Sequence, residues 1–274
     1  MKQYELIAFD MDGTLLDSQQ KISQPTIQAI KDAAKKGKKV VLSTGRALTE
    51  TIRYAEFLPE IRYGILGSAT LLYDYKEKKI LDRKIIEKEV VKGIVEVAKK
   101  YDIMPFAISM GKGNIQKDQL EVISKYHMGP FKQFYEVTAK HYDNIVEELL
   151  SDDSQQFEKI NLYATTPEER KLVKSELEKF QIEMVEAEET GLEITPYMAN
   201  KGQGLKNLSA ILNIPLEQTI AVGDSDNDET IIKAAGLGIA MGNANERIKS
   251  IAGAVVADNN SNGCKEAIEK YLLQ

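Results

Sequence analysis

Two carboxylates, Asp10 and Asp12, stand either side of Met11 and are followed at once by Gly13-Thr14-Leu15. Two further clusters carry reactive groups: Ser43-Thr44-Gly45-Arg46, and Gly223-Asp224-Ser225-Asp226-Asn227-Asp228. Each follows an apolar run of the kind that forms a buried strand, namely Leu6-Ile7-Ala8-Phe9, Val40-Val41-Leu42 and Thr219-Ile220-Ala221-Val222. In an open α/β sheet ligands bind outside the carboxyl ends of the strands, so this order delivers acidic and hydroxyl groups to one edge. Carboxylate oxygens are hard ligands suited to Mg2+. An isolated Asp-x-Asp-Gly is as readily an acidic turn that ends a strand. The companion clusters favour a site.

The elements between these clusters supply the scaffold. Pro25 to Lys36 reads as a helix, capped by Ser23, with Ile27 and Ile30 on one face and Gly37 closing it. Strand, helix, strand in that order implies a right-handed parallel crossover. The same grammar returns near the carboxyl end, with a helix around Thr230 to Ala235 and a strand at Leu237 to Ala240. Both ends therefore build one doubly wound, Rossmann-like parallel sheet. In the middle, Leu71 to Tyr75 and Lys79 to Leu81 suggest a hairpin, followed by a charged helix from Glu87 to Lys100. Strand-like runs at Ile103 to Ser109, Lys159 to Tyr163 and Ile182 to Ala187, with helices near Tyr142 to Leu150 and Pro167 to Phe180, predict a second α/β unit. The expected division is a core of residues 1–83 and 190–274 around an insert of residues 84–189.

Composition narrows the function. The 274 residues, 43% hydrophobic and 28% charged, suit a folded globular chain, and a net charge of −6 argues against a broad nucleic-acid or anionic-membrane surface. The apolar run after Met1-Lys2-Gln3-Tyr4-Glu5 is too short for a secretory signal, and no stretch reaches the roughly 20 apolar residues of a membrane span. Cys264 is the single cysteine, so no internal disulfide can form. The expectation is a cytoplasmic protein acting on small ligands, with monomer or dimer left open.

The motifs resemble those of the haloacid-dehalogenase superfamily, and specifically its Cof-type sugar-phosphate phosphatases with a large inserted cap. Asp10 to Leu15 is similar to the first family motif, Thr44-Gly45-Arg46 to the second, Asn200-Lys201-Gly202 to the third and Gly223 to Asp228 to the fourth. Glu193-Ile194-Thr195-Pro196 and Met241-Gly242-Asn243-Ala244 extend the likeness. The resemblance implies a Mg2+-dependent phosphatase acting on small phosphorylated substrates, with the insert as a cap that sets specificity. A carboxylate attacking a phosphate dianion needs a cation to offset like-charge repulsion, and Asp10 and Asp224 can supply its ligands. By resemblance, the backbone carbonyl of Asp12 is a further ligand and Asp228 steadies the metal shell from behind. Asp10 is then the nucleophile, Asp12 the general acid and base, and Lys201 with Thr44 and the Gly45 amide the phosphoryl contacts. Met11, through its backbone amide, and Asn227 add phosphate contacts, and Arg46 is a secondary candidate for gripping substrate or cap.

One departure stands out. The family commonly has Asn-Gly-Ala after the third core strand, whereas Tyr63-Gly64-Ile65-Leu66 is followed here by Gly67-Ser68-Ala69. A tight turn explains it better than a lost contact. His127 and His141 lack metal-ligand spacing and read as packing or surface residues; Lys35-Lys36-Gly37-Lys38-Lys39 reads as a solvated helix end. Met110-Gly111-Lys112-Gly113-Asn114 reads as a flexible loop. Three alternatives to hydrolysis stay in view: a phosphomutase with the same motifs, a phospho-receiver switch, and a silent sugar-phosphate sensor.

Overall fold

The computed structural model describes residues 3–151 and 156–274. Met1 and Lys2, which head the amino-terminal run discussed above, lie outside the described residues. The chain opens with β1 (Leu6–Phe9), α1 (Gln24–Lys35), β2 (Lys39–Ser43), α2 (Leu48–Phe57), β3 (Ile61–Leu66), β4 (Leu71–Asp74) and β5 (Lys79–Arg83). There follow α3 (Lys88–Ala98), β6 (Met104–Ser109), β7 (Lys112–Gln116), α4 (Lys117–Glu121), α5 (Lys132–Thr138) and β8 (Lys140–Tyr142). Next come α6 (Ile145–Leu150), β9 (Phe157–Tyr163), α7 (Pro167–Leu177), β10 (Ile182–Ala187) and β11 (Gly191–Pro196). The last stretch runs α8 (Lys201–Ile211), β12 (Thr219–Gly223), α9 (Glu229–Ala234), β13 (Leu237–Ala240), α10 (Glu246–Ile251), β14 (Ala254–Val255) and α11 (Gly263–Ala267).

Two compact units result: Met1–Arg46, Thr51–Asp82 and Asn200–Gln274 in one, Ala47–Glu50 and Arg83–Ala199 in the other. The first holds an eight-stranded sheet in the order β14-β13-β12-β1-β2-β3-β4-β5. Its strands are parallel from β14 to β3, and β4 turns back antiparallel on β3. Strand β1 alternates between two buried clusters. Ile7 and Phe9 face one that includes Ile27 and Ile30 of α1, while Leu6 and Ala8 face another with Leu205 and Leu208 of α8. Burial of each of the larger side chains, Leu6, Ile7 and Phe9, contributes about 1.5–3 kcal/mol, which is why this run is apolar on both faces. Helix α1 forms as its sequence predicts: the Ser23 side chain accepts from the Thr26 amide at 3.4 Å, and Gly37 supplies the left-handed φ of +79° beyond its end.

Register decides where the chemistry emerges. Phe9 pairs with Val222 on one side and Leu42 on the other, so the carboxyl ends of β1, β12 and β2 finish level. Asp10, the first residue beyond β1, therefore emerges beside Gly223 and Ser43, the last residues of β12 and β2.

The second unit is a six-stranded sheet in the order β10-β11-β9-β6-β7-β8, antiparallel except between β7 and β8. Its core gathers Ile94, Val97, Leu149, Ile160, Leu177 and Leu192. Strand β11 pairs with both β9 and β10, and Ile194 is fully buried in this core. The chain therefore leaves this unit after β11, whereas the border drawn from sequence near Glu189 precedes that strand. Two sequence readings are corrected here. Met110 and Gly111, at φ +51° and +70°, form a turn, and Lys112 to Asn114 continue into β7 rather than a flexible loop. Gly113 leaves room for the Phe106 ring, which a Cβ would meet at 2.3 Å, and the buried Asn114 amide donates to the Ala107 and Lys112 carbonyls. Tyr142 ends β8, and helix α6 begins only at Ile145, where the Asn144 side chain caps the amides of Val146 and Glu147. Among the described residues no helix is long and apolar enough to cross a membrane.

Candidate active site

Asp10 is the first residue beyond β1. Its amide donates to the Val222 carbonyl at 3.0 Å, which extends the pairing of β1 with β12 by one residue and fixes the backbone that presents the carboxylate. The turn then folds back, with the Leu15 amide donating to the Asp10 carbonyl and the Leu16 amide to the Met11 carbonyl. The Met11 side chain is fully buried in the apolar cluster, so only its backbone is available to a ligand. The Thr14 hydroxyl donates to Asp224 Oδ1 at 2.6 Å, tying the loop after β1 to the loop after β12.

Lys201 arrives from the start of α8. The Asn200 side chain caps that helix by accepting from the Gln203 amide at 3.0 Å. Gly202 lets α8 approach α9, because a Cβ there would come 2.3 Å from the Thr230 carbonyl oxygen. The fully buried ammonium then donates to Asp10 Oδ1 and Asp228 Oδ1, each at 2.6 Å. Asp228 is itself fully buried, and its Oδ2 accepts from the amides of Asp224 and Ser225. Donors thus engage both of its oxygens, and it acts as an anchor.

Asp10, Asp224 and Asp228 each place a carboxylate oxygen within 4.8 Å of the others. Burial pushes the Asp10 carboxyl up to about 8, opposed by Lys201 and assisted by Asp228 and Asp224. Burial also raises Asp224, to about 6, against the Thr14 hydrogen bond and with Asp228 adding to the rise. Burial disfavours the Lys201 charge too, yet the flanking Asp10 and Asp228 outweigh it and hold the ammonium above its ordinary range. With all three carboxylates ionised, one ammonium would leave two negative charges uncompensated, the charge that a divalent cation carries as it displaces the protons. Asp10 and Asp224 offer hard oxygen donors, and Asp228 braces the cluster from within. The donor set fits a metal such as Mg2+.

Thr44 and Arg46 follow β2. Thr44 is buried, its amide donates to the Ile65 carbonyl at 2.9 Å, and its hydroxyl oxygen accepts from the Arg46 amide at 3.2 Å. Gly45 joins them in the bend. Asp12 meets the Arg46 guanidinium through both oxygens, at 2.8 and 2.5 Å. Asn227 lies exposed in the turn Asp226–Asp228, and its side-chain oxygen accepts from the Ser225 hydroxyl. Sequence reasoning assigned no role to Thr14, Gln20 or Asn243. Gln20 accepts from Arg46 at 2.7 Å, and Asn243 donates to the Gly13 carbonyl at 2.8 Å. A buried threonine hydroxyl beside an acidic motif signals such a partner; Gln20 carries no comparable signal. Burial raises the Cys264 thiol, which donates to the Thr14 carbonyl and is closed to ionic chemistry. His127 pairs with Glu189 and Thr165, and His141 contacts the Tyr135 carbonyl, as structural residues do.

The chain matches the haloacid dehalogenase-like hydrolase family over residues 7–268. It is 32% identical over 286 residues to phosphatase YwpJ of Bacillus subtilis strain 168, across 98% of this chain and 100% of that protein. It is 28% identical over 270 residues to 5-amino-6-(5-phospho-D-ribitylamino)uracil phosphatase YcsE of the same strain, across 98% of this chain and 96% of that one. A solved haloacid dehalogenase-like hydrolase from B. subtilis has a TM-score of 0.84 to this fold at 30% identity, covering 97% of this chain and 99% of its own. The chain belongs to the haloacid dehalogenase-like hydrolase family. It is an enzyme of the phosphatase class.

Proposed function

We propose that this enzyme is a Mg2+-dependent phosphatase of small phosphate esters, sugar phosphates foremost, working through an aspartyl-phosphate on Asp10. The observation that carries the reading is the buried Lys201 ammonium held between Asp10 and Asp228, with Asp224 alongside, at the carboxyl end of the central strand. Asp10 attacks phosphorus and the ester P–O bond breaks while Asp12, in its acid form, gives its proton to the leaving oxygen. Asp12 then takes a proton from a water whose oxygen attacks the same phosphorus. The bond to Asp10 breaks, inorganic phosphate departs, and Asp12 is again protonated. Lys201, the Thr44 hydroxyl, the Gly45 and Met11 amides and Asn227 are assigned to the phosphoryl oxygens. Asp10, Asp224 and the Asp12 carbonyl would hold Mg2+, with Asp228 behind them; when bound, the ion offsets the repulsion between carboxylate and phosphate dianion.

We assign substrate choice to the inserted unit, whose main segment is Arg83–Ala199. A ribityl phosphate in the name of one relative supports polyol and sugar phosphates as the class to try first. The single buried thiol suits a cytoplasmic enzyme. The test is phosphate release from sugar phosphates, nucleotides and 4-nitrophenyl phosphate, with Mg2+ or with EDTA. Many equivalents per chain, loss in EDTA and abolition in Asp10→Asn are expected; undiminished turnover by Asp10→Asn sinks the proposal. Release of at most one equivalent would instead mark a phospho-receiver.

A further inference from the structure

We infer that Arg46 is a positioning residue for the Asp12 carboxylate and does not grip the substrate; the inference rests on the phosphatase reading of Asp12. Arg46 Nε donates to Asp12 Oδ2 at 2.8 Å, and Nη2 donates to Asp12 Oδ1 at 2.5 Å and to Gln20 Oε1 at 2.7 Å. Three of the five guanidinium N–H groups are therefore committed within the loops after β1 and β2. The backbone of Arg46 is pinned as well: its amide donates to the Thr44 hydroxyl and its carbonyl accepts from the Gly67 amide at 2.9 Å. Its guanidinium stands 5.9 Å from the Tyr54 ring centroid. The arginine side chain is only 18% exposed, whereas that of Asp12 is 51% exposed.

A half-exposed aspartate is otherwise free to spread over several rotamers, and proton transfer requires it within hydrogen-bond reach of the reacting oxygen. The planar fork removes that freedom. Each Asp12 oxygen keeps a second lone pair for the proton that catalysis moves. Lysine cannot reproduce the arrangement, because one ammonium does not match a carboxylate edge at two points.

The experiment compares Arg46→Ala, Arg46→Lys and Gln20→Ala with wild type on two substrates with Mg2+ present. For a hexose 6-phosphate, whose alkoxide needs the Asp12 proton, Arg46→Ala is expected to lower kcat/KM roughly 10- to 100-fold. For 4-nitrophenyl phosphate, whose leaving group departs without one, kcat/KM stays within about threefold while kcat falls. Acid-quenched phosphoenzyme accumulates in the latter case, since water activation still depends on Asp12. Arg46→Lys recovers part of the loss, and Gln20→Ala shows the same substrate bias more weakly. A misfolded fraction would scale both substrates equally, so the bias reports position. Equal rises in KM for both esters with kcat unchanged, or wild-type behaviour, would overturn the assignment. Asp10→Asn run in parallel separates the two ideas. If it is inactive while Arg46→Ala behaves as wild type, only the Arg46 assignment falls; if it turns over, both fall.

Discussion

Gly13 lies directly against Asp224: a Cβ on it would come 2.5 Å from Asp224 Oδ2, and its φ of +79° is left-handed. The glycine after the paired aspartates is thus required by conformation and by space at once. Gly13→Ala is expected to cost about 1–3 kcal/mol from backbone strain alone. It should also displace Asp224 and weaken Mg2+ dependence. Urea unfolding and a Mg2+ titration of activity check this; unchanged values for both would contradict the packing described.

Asp228 anchors three donors while buried, so its removal leaves the Asp224 and Ser225 amides and one side of Lys201 without an acceptor. Asp228→Ala should destabilise the fold by about 3–5 kcal/mol, the usual cost of breaking a buried ion pair from one side. Asp228→Asn, which keeps an acceptor, should cost less. Denaturant midpoints for the two variants provide the comparison, and equal losses would deny the anchoring role.

Asp10 and Asp224, raised from 3.8 to about 8 and about 6, bind protons more tightly folded than unfolded. Their contribution to the stability of the metal-free protein is complete below the unfolded value of 3.8 and is lost as pH rises through about 6 and then about 8. A divalent cation competes with those protons for the same oxygens. The gain in Tm on replacing EDTA by Mg2+ should therefore be small near pH 5 and grow towards pH 8.5. A gain independent of pH would rule the three-carboxylate cluster out as the metal site.

Three successive residues, Gly67, Ser68 and Ala69, adopt left-handed φ values of +55°, +59° and +73°. The turn carries the Ser68 amide to the Thr44 carbonyl at 3.0 Å, and a Cβ at position 67 would sit 2.4 Å from Thr70 Oγ1. Gly67 is needed there, while Ser68 bears a conformational cost that glycine would relieve. Ser68→Gly should stabilise by up to about 1 kcal/mol and leave kcat near wild type. Equilibrium unfolding with an activity assay measures both, and a large loss of activity would instead give the serine hydroxyl a role at the site.

The residues themselves determined the sheet and its reactive edge. Apolar runs that stop at Asp10, at Ser43-Thr44 and at Gly223-Asp224 specify buried parallel strands whose carboxyl ends carry polar groups, because apolar burial and its interruption are local properties of the chain. The strand from 112 to 116 escaped such reading, since a lysine and a glycine open it and the space at Gly113 is taken by the Phe106 ring. Tertiary structure alone decided that Lys201, 191 positions from Asp10, would be clamped between it and Asp228, and that Arg46 would hold Asp12 by both oxygens. Such contacts depend on strand order, level register and the close approach that Gly13 and Gly202 permit, none of which is encoded in the spacing of neighbours along the chain.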